Sequence, residues 1–158
     1  MKSNKKLYKQ IKLNKMEKQE VRNIIQLSNH LSIDKRELFD QINEKNESFE
    51  VENYTFLSED EALKDVINMY ECDEYLLGSF YASFIDDFVY LNLEDIISIQ
   101  ESDKNHILGK IILNSGKLDE MMEEYIRLDG YGHALNSYDG NYDEINLNGI
   151  DYIYFRNN

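Results

Sequence analysis

Seven residues able to move a proton or ligate a cation crowd one stretch near the C-terminus: Asp129, His133, Tyr138, Asp139, Asp143, Glu144 and Asp151. A histidine beside an aspartate can serve as a general base, tuned by the polarity around it. The chemistry goes no further. No Ser or Cys nucleophile stands in a recognisable turn, and Cys72 has no motif around it. The run Asp139-Gly140-Asn141-Tyr142-Asp143 follows the first half of a calcium loop. Glu144 then falls where the loop demands glycine, and Ile150 where its bidentate acid belongs, which excludes an EF-hand. No Cys/His pair has zinc spacing, and neither a P-loop nor a dinucleotide fingerprint is present. His30 and His106 read as polar residues on helix surfaces, and His133 as a turn residue bonded to backbone. The expectation is a protein that is not an enzyme and uses no cofactor or metal.

Binding chemistry is better represented. Acids cluster at Glu59-Asp60-Glu61, Glu71 to Glu74, Asp86-Asp87, Glu94-Asp95, Glu101 to Asp103 and Asp119 to Glu124. Many of these open a helix, where the positive end of the dipole favours them. Glu71, Asp73 and Glu74 fall late in an expected helix, where that reason fails, and Asp86 and Asp87 pose the same question. A row of such carboxylates mimics the charge spacing of nucleic-acid phosphates. Tyr70, Tyr75, Tyr81, Tyr90 and Tyr125 lie among them and are the amphipathic side chains that anchor protein interfaces. The sites expected to touch a partner are Glu71, Asp73, Glu74, Asp86, Asp87 and Tyr75.

A second binding chemistry lies upstream. In the stretch Ile25 to Ile42, Ser28 sits where two helices of a helix-turn-helix would cross, and Leu31 and Ile33 flank the turn. Leu38 and Ile42 would pack the second helix and leave Lys35, Arg36 and Gln41 outward, towards a major groove. Against that, Ser32 stands where Gly is usual, and Glu37, Asp40 and Glu44 repel phosphates.

The elements that must position these groups follow from periodicity. Val21, Ile24, Ile25 and Leu27 mark a helix over 17–30, and Ser32 or Asp34 caps another over 35–45. Residues 49–57 read as a hairpin. Ser58 and Glu61 form a capping box that starts a helix running to about Leu77, with Gly78 as its stop. Phe80 to Phe88 reads as helical, Asn92 caps a short helix, and His106 to Leu113 forms another. Leu118 to Leu128 is an amphipathic helix with Met121, Met122, Tyr125 and Leu128 inward. Asn148-Gly149 between two alternating runs is a type I′ hairpin turn. The fold class is α+β: an N-terminal helix-turn-helix-like part, a mostly helical body with short antiparallel strands, and a C-terminal β-hairpin.

Charge suggests two domains, a basic arm with a helical hairpin over 1–47 and an acidic α+β domain over 48–158. The net charge is −14. Residues 1–50 carry eleven Lys/Arg against eight Asp/Glu, and residues 51–158 carry six against twenty-three. An acidic body repels nucleic acid and attracts basic surfaces. With 42% hydrophobic residues the chain can fill a core, and its longest apolar runs are too short to span a membrane. A single Cys fits a reducing compartment, and the basic start lacks a signal-peptide core, so a cytoplasmic location is expected.

The run Leu128-Asp-Gly-Tyr-Gly-His133-Ala-Leu-Asn-Ser-Tyr138-Asp139-Gly140-Asn-Tyr-Asp-Glu144, followed by Tyr152-Ile-Tyr-Phe-Arg156-Asn157, resembles a C-terminal pattern of small phage and mobile-element proteins. Its marks are the Gly-His, the Tyr-Asp-Gly and the terminal aromatic-Arg-Asn. The likeness covers about residues 49–158 and implies an acidic anti-defence protein of the anti-CRISPR or antirestriction kind. No catalytic residue is implied. The expected function is therefore an inhibitor whose acidic surface competes with DNA or RNA for a nuclease or CRISPR effector of the host. The alternative is a helix-turn-helix transcriptional regulator that binds DNA through its N-terminal part. A homodimer is left open by the twelve Tyr and the apolar middle.

Overall fold

The computed structural model describes residues 17–158. The expected basic arm, residues 1–16, lies outside the described residues. The fold is α+β, with nine helices and four strands among the described residues. The chain forms two compact units, one made of residues up to Ala62 together with Asn136–Asn158, the other of Leu63–Leu135.

The first unit begins with α1 (Lys18–Leu31) and α2 (Lys35–Asn43), joined by a tight turn in which Ser32 takes a left-handed conformation, φ 58°. Of the two expected caps, Asp34 fills the role: its side chain accepts from the backbone N–H groups of Arg36 and Glu37, each at 2.8 Å. Four strands follow in space, β1 (Ser48–Val51), β2 (Tyr54–Ser58), β3 (Asp143–Leu147) and β4 (Ile150–Arg156). They form one antiparallel sheet in the order β1-β2-β4-β3. Asn148 and Gly149 both have positive φ, 54° and 81°, as the type I′ turn requires.

Alternation along these strands sends Phe49, Val51, Phe56, Tyr152 and Tyr154 to one face. There they share a core with Val21, Ile24 and Leu27 of α1 and Leu38, Phe39 and Ile42 of α2. Phe49 stacks on Phe56 at 4.9 Å and Phe56 on Tyr154 at 5.4 Å. Polar bonds fix the layers. The Tyr152 hydroxyl donates to the Asn46 carbonyl at 2.7 Å, and the Asn148 amide side chain donates to the Ile42 carbonyl at 3.1 Å. Because α1 and α2 need the sheet to bury their apolar faces, the units do not divide at 47/48. Charge marked that boundary, but packing sets the units.

The second unit is helical. It takes in most of α3 (Glu59–Glu71), then α4 (Glu74–Leu77), α5 (Ala82–Ile85), α6 (Leu93–Glu101), α7 (Asn105–Ser115), α8 (Leu118–Asp129) and α9 (Gly132–Leu135). Its core holds Val66, Tyr70, Leu77, Ile85, Ile96, Leu108, Ile112, Met121 and Met122. Half of the expected capping box is present: the Glu61 N–H donates to the Ser58 hydroxyl at 3.3 Å, while the Ser58 N–H donates to the Glu47 carbonyl at 2.7 Å. Asn92 caps α6 by accepting from the Asp95 N–H at 2.9 Å.

Three expectations here are corrected. The helix from Ser58 stops at Glu71 rather than near Leu77, because Asp73 starts a new helix by accepting from the Leu76 N–H at 2.9 Å. Phe80 to Phe88 is helical only over α5, after which the chain turns so that both Ile85 and Val89 reach the core. Leu128 points out, 61% exposed, instead of inward. Helices α4 and α7 touch backbone to backbone. A Cβ on Gly109 would lie 1.9 Å from the Glu74 carbonyl oxygen, and one on Gly78 would lie 1.9 Å from that of Asn105. Only glycine permits this approach.

Candidate functional site

The N-terminal end of α2 is the part of a helix-turn-helix that would meet base edges. Here it carries two carboxylates. Asp34 caps it, and the Asp34 N–H itself donates to Glu52 Oε1 from the β1–β2 turn at 2.9 Å. The Glu37 N–H, above all, holds the Asp34 carboxyl below its usual range, so it stays charged. Arg36 is exposed and Lys35 half-buried. Gln41 accepts from the Asn46 side chain at 2.7 Å and is engaged within its own unit. A phosphate backbone approaching this end meets negative charge first.

The C-terminal set organises a loop. Asn136, 4% exposed, donates through Nδ2 to Asp139 Oδ1 and to the Asn141 carbonyl, both at 2.6 Å, and its Oδ1 accepts from the Tyr138 N–H at 3.0 Å. Asp139 also accepts from the Asn141 N–H at 2.9 Å, which, first among several causes, lowers its pKa. The Tyr-Asp-Gly of the resemblance thus builds an Asx-type turn, with Gly140 at φ 72°. His133 lies exposed on α9, and Asp143 and Glu144 lie exposed on β3. Asp151 accepts from the Asn146 side chain at 2.7 Å. Among the described residues, no three or more His, Cys, Asp or Glu are grouped so as to hold a metal ion.

The acidic residues singled out for a partner all lie in the helical unit, and two of them have local work. Asp73 is the N-cap of α4, and Glu74 sits in its first turn, where the dipole favours it. That corrects the expectation of acids late in a helix for Asp73 and Glu74, which rested on reading residues 59–77 as one element; Glu71 does end α3. Glu74 also faces Lys110 at 3.7 Å. Asp86 is the C-cap of α5. Glu71, Asp86 and Asp87 are exposed. Tyr75, half exposed, donates its hydroxyl to Asp103 at 2.7 Å, and that carboxylate raises the phenol pKa.

The same unit holds the roomiest of the described pockets, an open groove of about 600 Å³. Phe80, Phe84 and Tyr125 line it together with the more exposed Tyr81 and Leu128, and Asp87 and Asp129 lie on it too. The rings pack edge to face or tilted, Phe80 on Phe84 at 5.4 Å and on Tyr125 at 5.2 Å. Burial first, then hydrogen bonding with Tyr70 and the nearby Asp129, pushes the Tyr125 phenol far up, so it stays protonated. Sequence reading found Asp87 but missed the groove. The signal was present in the spacing of Phe80, Phe84 and Phe88, which is more than a four-residue helix needs for its core.

Among the described residues, no helix is long and apolar enough to cross a membrane. No family model matches this chain, and no curated protein or solved structure matches it either.

Proposed function

We propose that the protein is a binding protein that works by occupancy, its acidic helical unit filling a basic channel meant for DNA or RNA in a host defence enzyme. A CRISPR effector nuclease is the favoured target, met in the host cytoplasm. The observation that carries this reading is the coincidence of charge and exposed apolar surface. Leu63–Leu135 holds five Lys/Arg against fifteen Asp/Glu. Tyr75, Leu76, Tyr81, Tyr90, Leu93, Ile97, Ile107 and Leu128 stand exposed on it, whereas among the described residues the other unit contributes Tyr138 to that class. Charge steers such a surface to a basic partner, and aromatic anchors hold it there. The phage-type pattern at 128–157 supports the anti-defence setting.

The test is a pull-down from host lysate with the full chain at low and high salt, followed by a nuclease assay on the recovered enzyme. Recovery of a nuclease that washes off with salt is the expected result. A chain carrying Glu71→Lys, Asp86→Lys and Asp87→Lys should fold, since none of the three caps a helix through its side chain, and should lose the enzyme. Undiminished recovery by that variant would overturn the reading. A gel shift with duplex DNA, lost on Lys35→Ala with Arg36→Ala, would instead move the function to α1 and α2.

A further inference from the structure

We infer that the groove lined by Phe80, Phe84 and Tyr125 receives an arginine side chain presented by a basic segment of the partner protein. The inference rests on the proposal that the helical unit docks on a basic partner, and it names what enters. Four features of the groove converge on a guanidinium. Its walls are aromatic, lined by Tyr81, 86% exposed, and by the half-buried rings of Phe80, Phe84 and Tyr125. Two carboxylates, Asp87 and Asp129, line the same space. The Tyr125 hydroxyl stays neutral, so these two alone among the acids of the groove supply its charge. The volume, about 600 Å³, admits a long side chain with part of the segment that bears it.

Other occupants fit less well. A wholly apolar segment would strip water from two carboxylates without replacing it, which costs free energy. A lysine ammonium is compact and strongly hydrated, and it cannot stack. A guanidinium is planar and weakly hydrated, lies flat on aromatic faces, and has donors enough for both carboxylates. Its aliphatic stem would cover Leu128, which stands 61% exposed at the groove.

The test measures fluorescence anisotropy of a short labelled peptide that alternates Arg and Leu, titrated with the full chain at low salt. Binding is expected, and replacing each Arg of the peptide by citrulline, which keeps shape but removes charge, should weaken it by about tenfold or more. Asp87→Asn with Asp129→Asn should do the same from the protein side, and so should Tyr81→Ala, an exposed position whose loss leaves the core untouched. Asp119→Asn with Glu123→Gln removes the same charge from exposed positions of α8 outside the groove and should change affinity by roughly twofold at most. Equal losses from the two double variants would overturn the groove while leaving the acidic-surface reading in place. Unchanged binding of the citrulline peptide would overturn it as well, as would no binding of either peptide. So would a tenfold gain for the chain in which the six lysines of residues 1–16 are glutamine, because the occupant would then be this chain's own basic segment.

Discussion

The sheet unit and the helical unit carry the same net charge, −10 each over the described residues, yet they spend their apolar residues differently. In the sheet unit, strand alternation and two helices enclose almost everything large and greasy, and β4 is buried at four successive positions, Tyr152 to Phe155. In the helical unit the elements are short. Three of its helices, α4, α5 and α9, have four residues each, so aromatic side chains are left over and appear at the surface. Charge therefore does not single out the unit proposed to dock, since both units have it. Exposed apolar surface among the described residues does, and a partner would gain there what the fold has not already taken.

The comparison can be broken most forcefully at the sheet. Phe56→Ala removes a fully buried ring stacked on Phe49 and Tyr154, and should cost about 3–5 kcal/mol in urea unfolding. Amide exchange should show the loss in the strands while α6 to α8 keep their protection. Equal loss everywhere would mean that the units do not respond separately. Gly109→Ala attacks the helical unit through the clash with the Glu74 carbonyl, and should cost about 1–3 kcal/mol or more with the opposite pattern of exchange.

Alkali sharpens the contrast. Burial pushes the Tyr152 phenol up to about 12, and Asn46 holds its proton. The folded state thus favours the neutral form, and the stabilisation is intact below about pH 10, where the unfolded phenol ionises, and vanishes as the pH climbs to about 12. Urea unfolding at rising pH should show stability falling by roughly 2 kcal/mol across that window through this residue. Tyr152→Phe gives up the Asn46 bond at neutral pH but should flatten the alkaline slope, and an unchanged slope would assign the fall to other tyrosines. The smallest effect belongs to Asp73→Ala, about 1 kcal/mol from the helical unit as the α4 cap is lost. A change within error would return Asp73 to the set of acids without local work.

Legibility follows the same divide. The hairpins, the caps at Asp34, Ser58 and Asn92 and the type I′ turn could all be read from sequence, because each rests on a local rule of period two, of turn residues or of side-chain capping. Residues 71–88 could not. The apolar spacing through Leu63, Val66, Ile67 and Tyr70 continues to Leu77, so periodicity alone carries the helix past Cys72. The Asp73 cap, which accepts from the Leu76 N–H, breaks it there, and the close approach of Gly78 to Asn105 sets where the next helix lies. Leu128 was misread for a related reason: it stands on the apolar stripe of α8, but no element covers it. The groove was therefore hidden in residues that patterning assigns to a core.

The placement of the helical unit between β2 and β3 has a consequence for synthesis. The pairing of Tyr54 with Arg156 joins residues separated by the whole helical unit, and β3 and β4 leave the ribosome after that unit does. Until then β1 and β2 offer an open edge, and Phe49 and Phe56 lack Tyr152 and Tyr154. The intervening segment reaches its full length early and can close on its own core first, which shortens the loop that the final strands must span. A chain interrupted between Leu135 and Asp143 would carry the whole helical unit and two of the four strands.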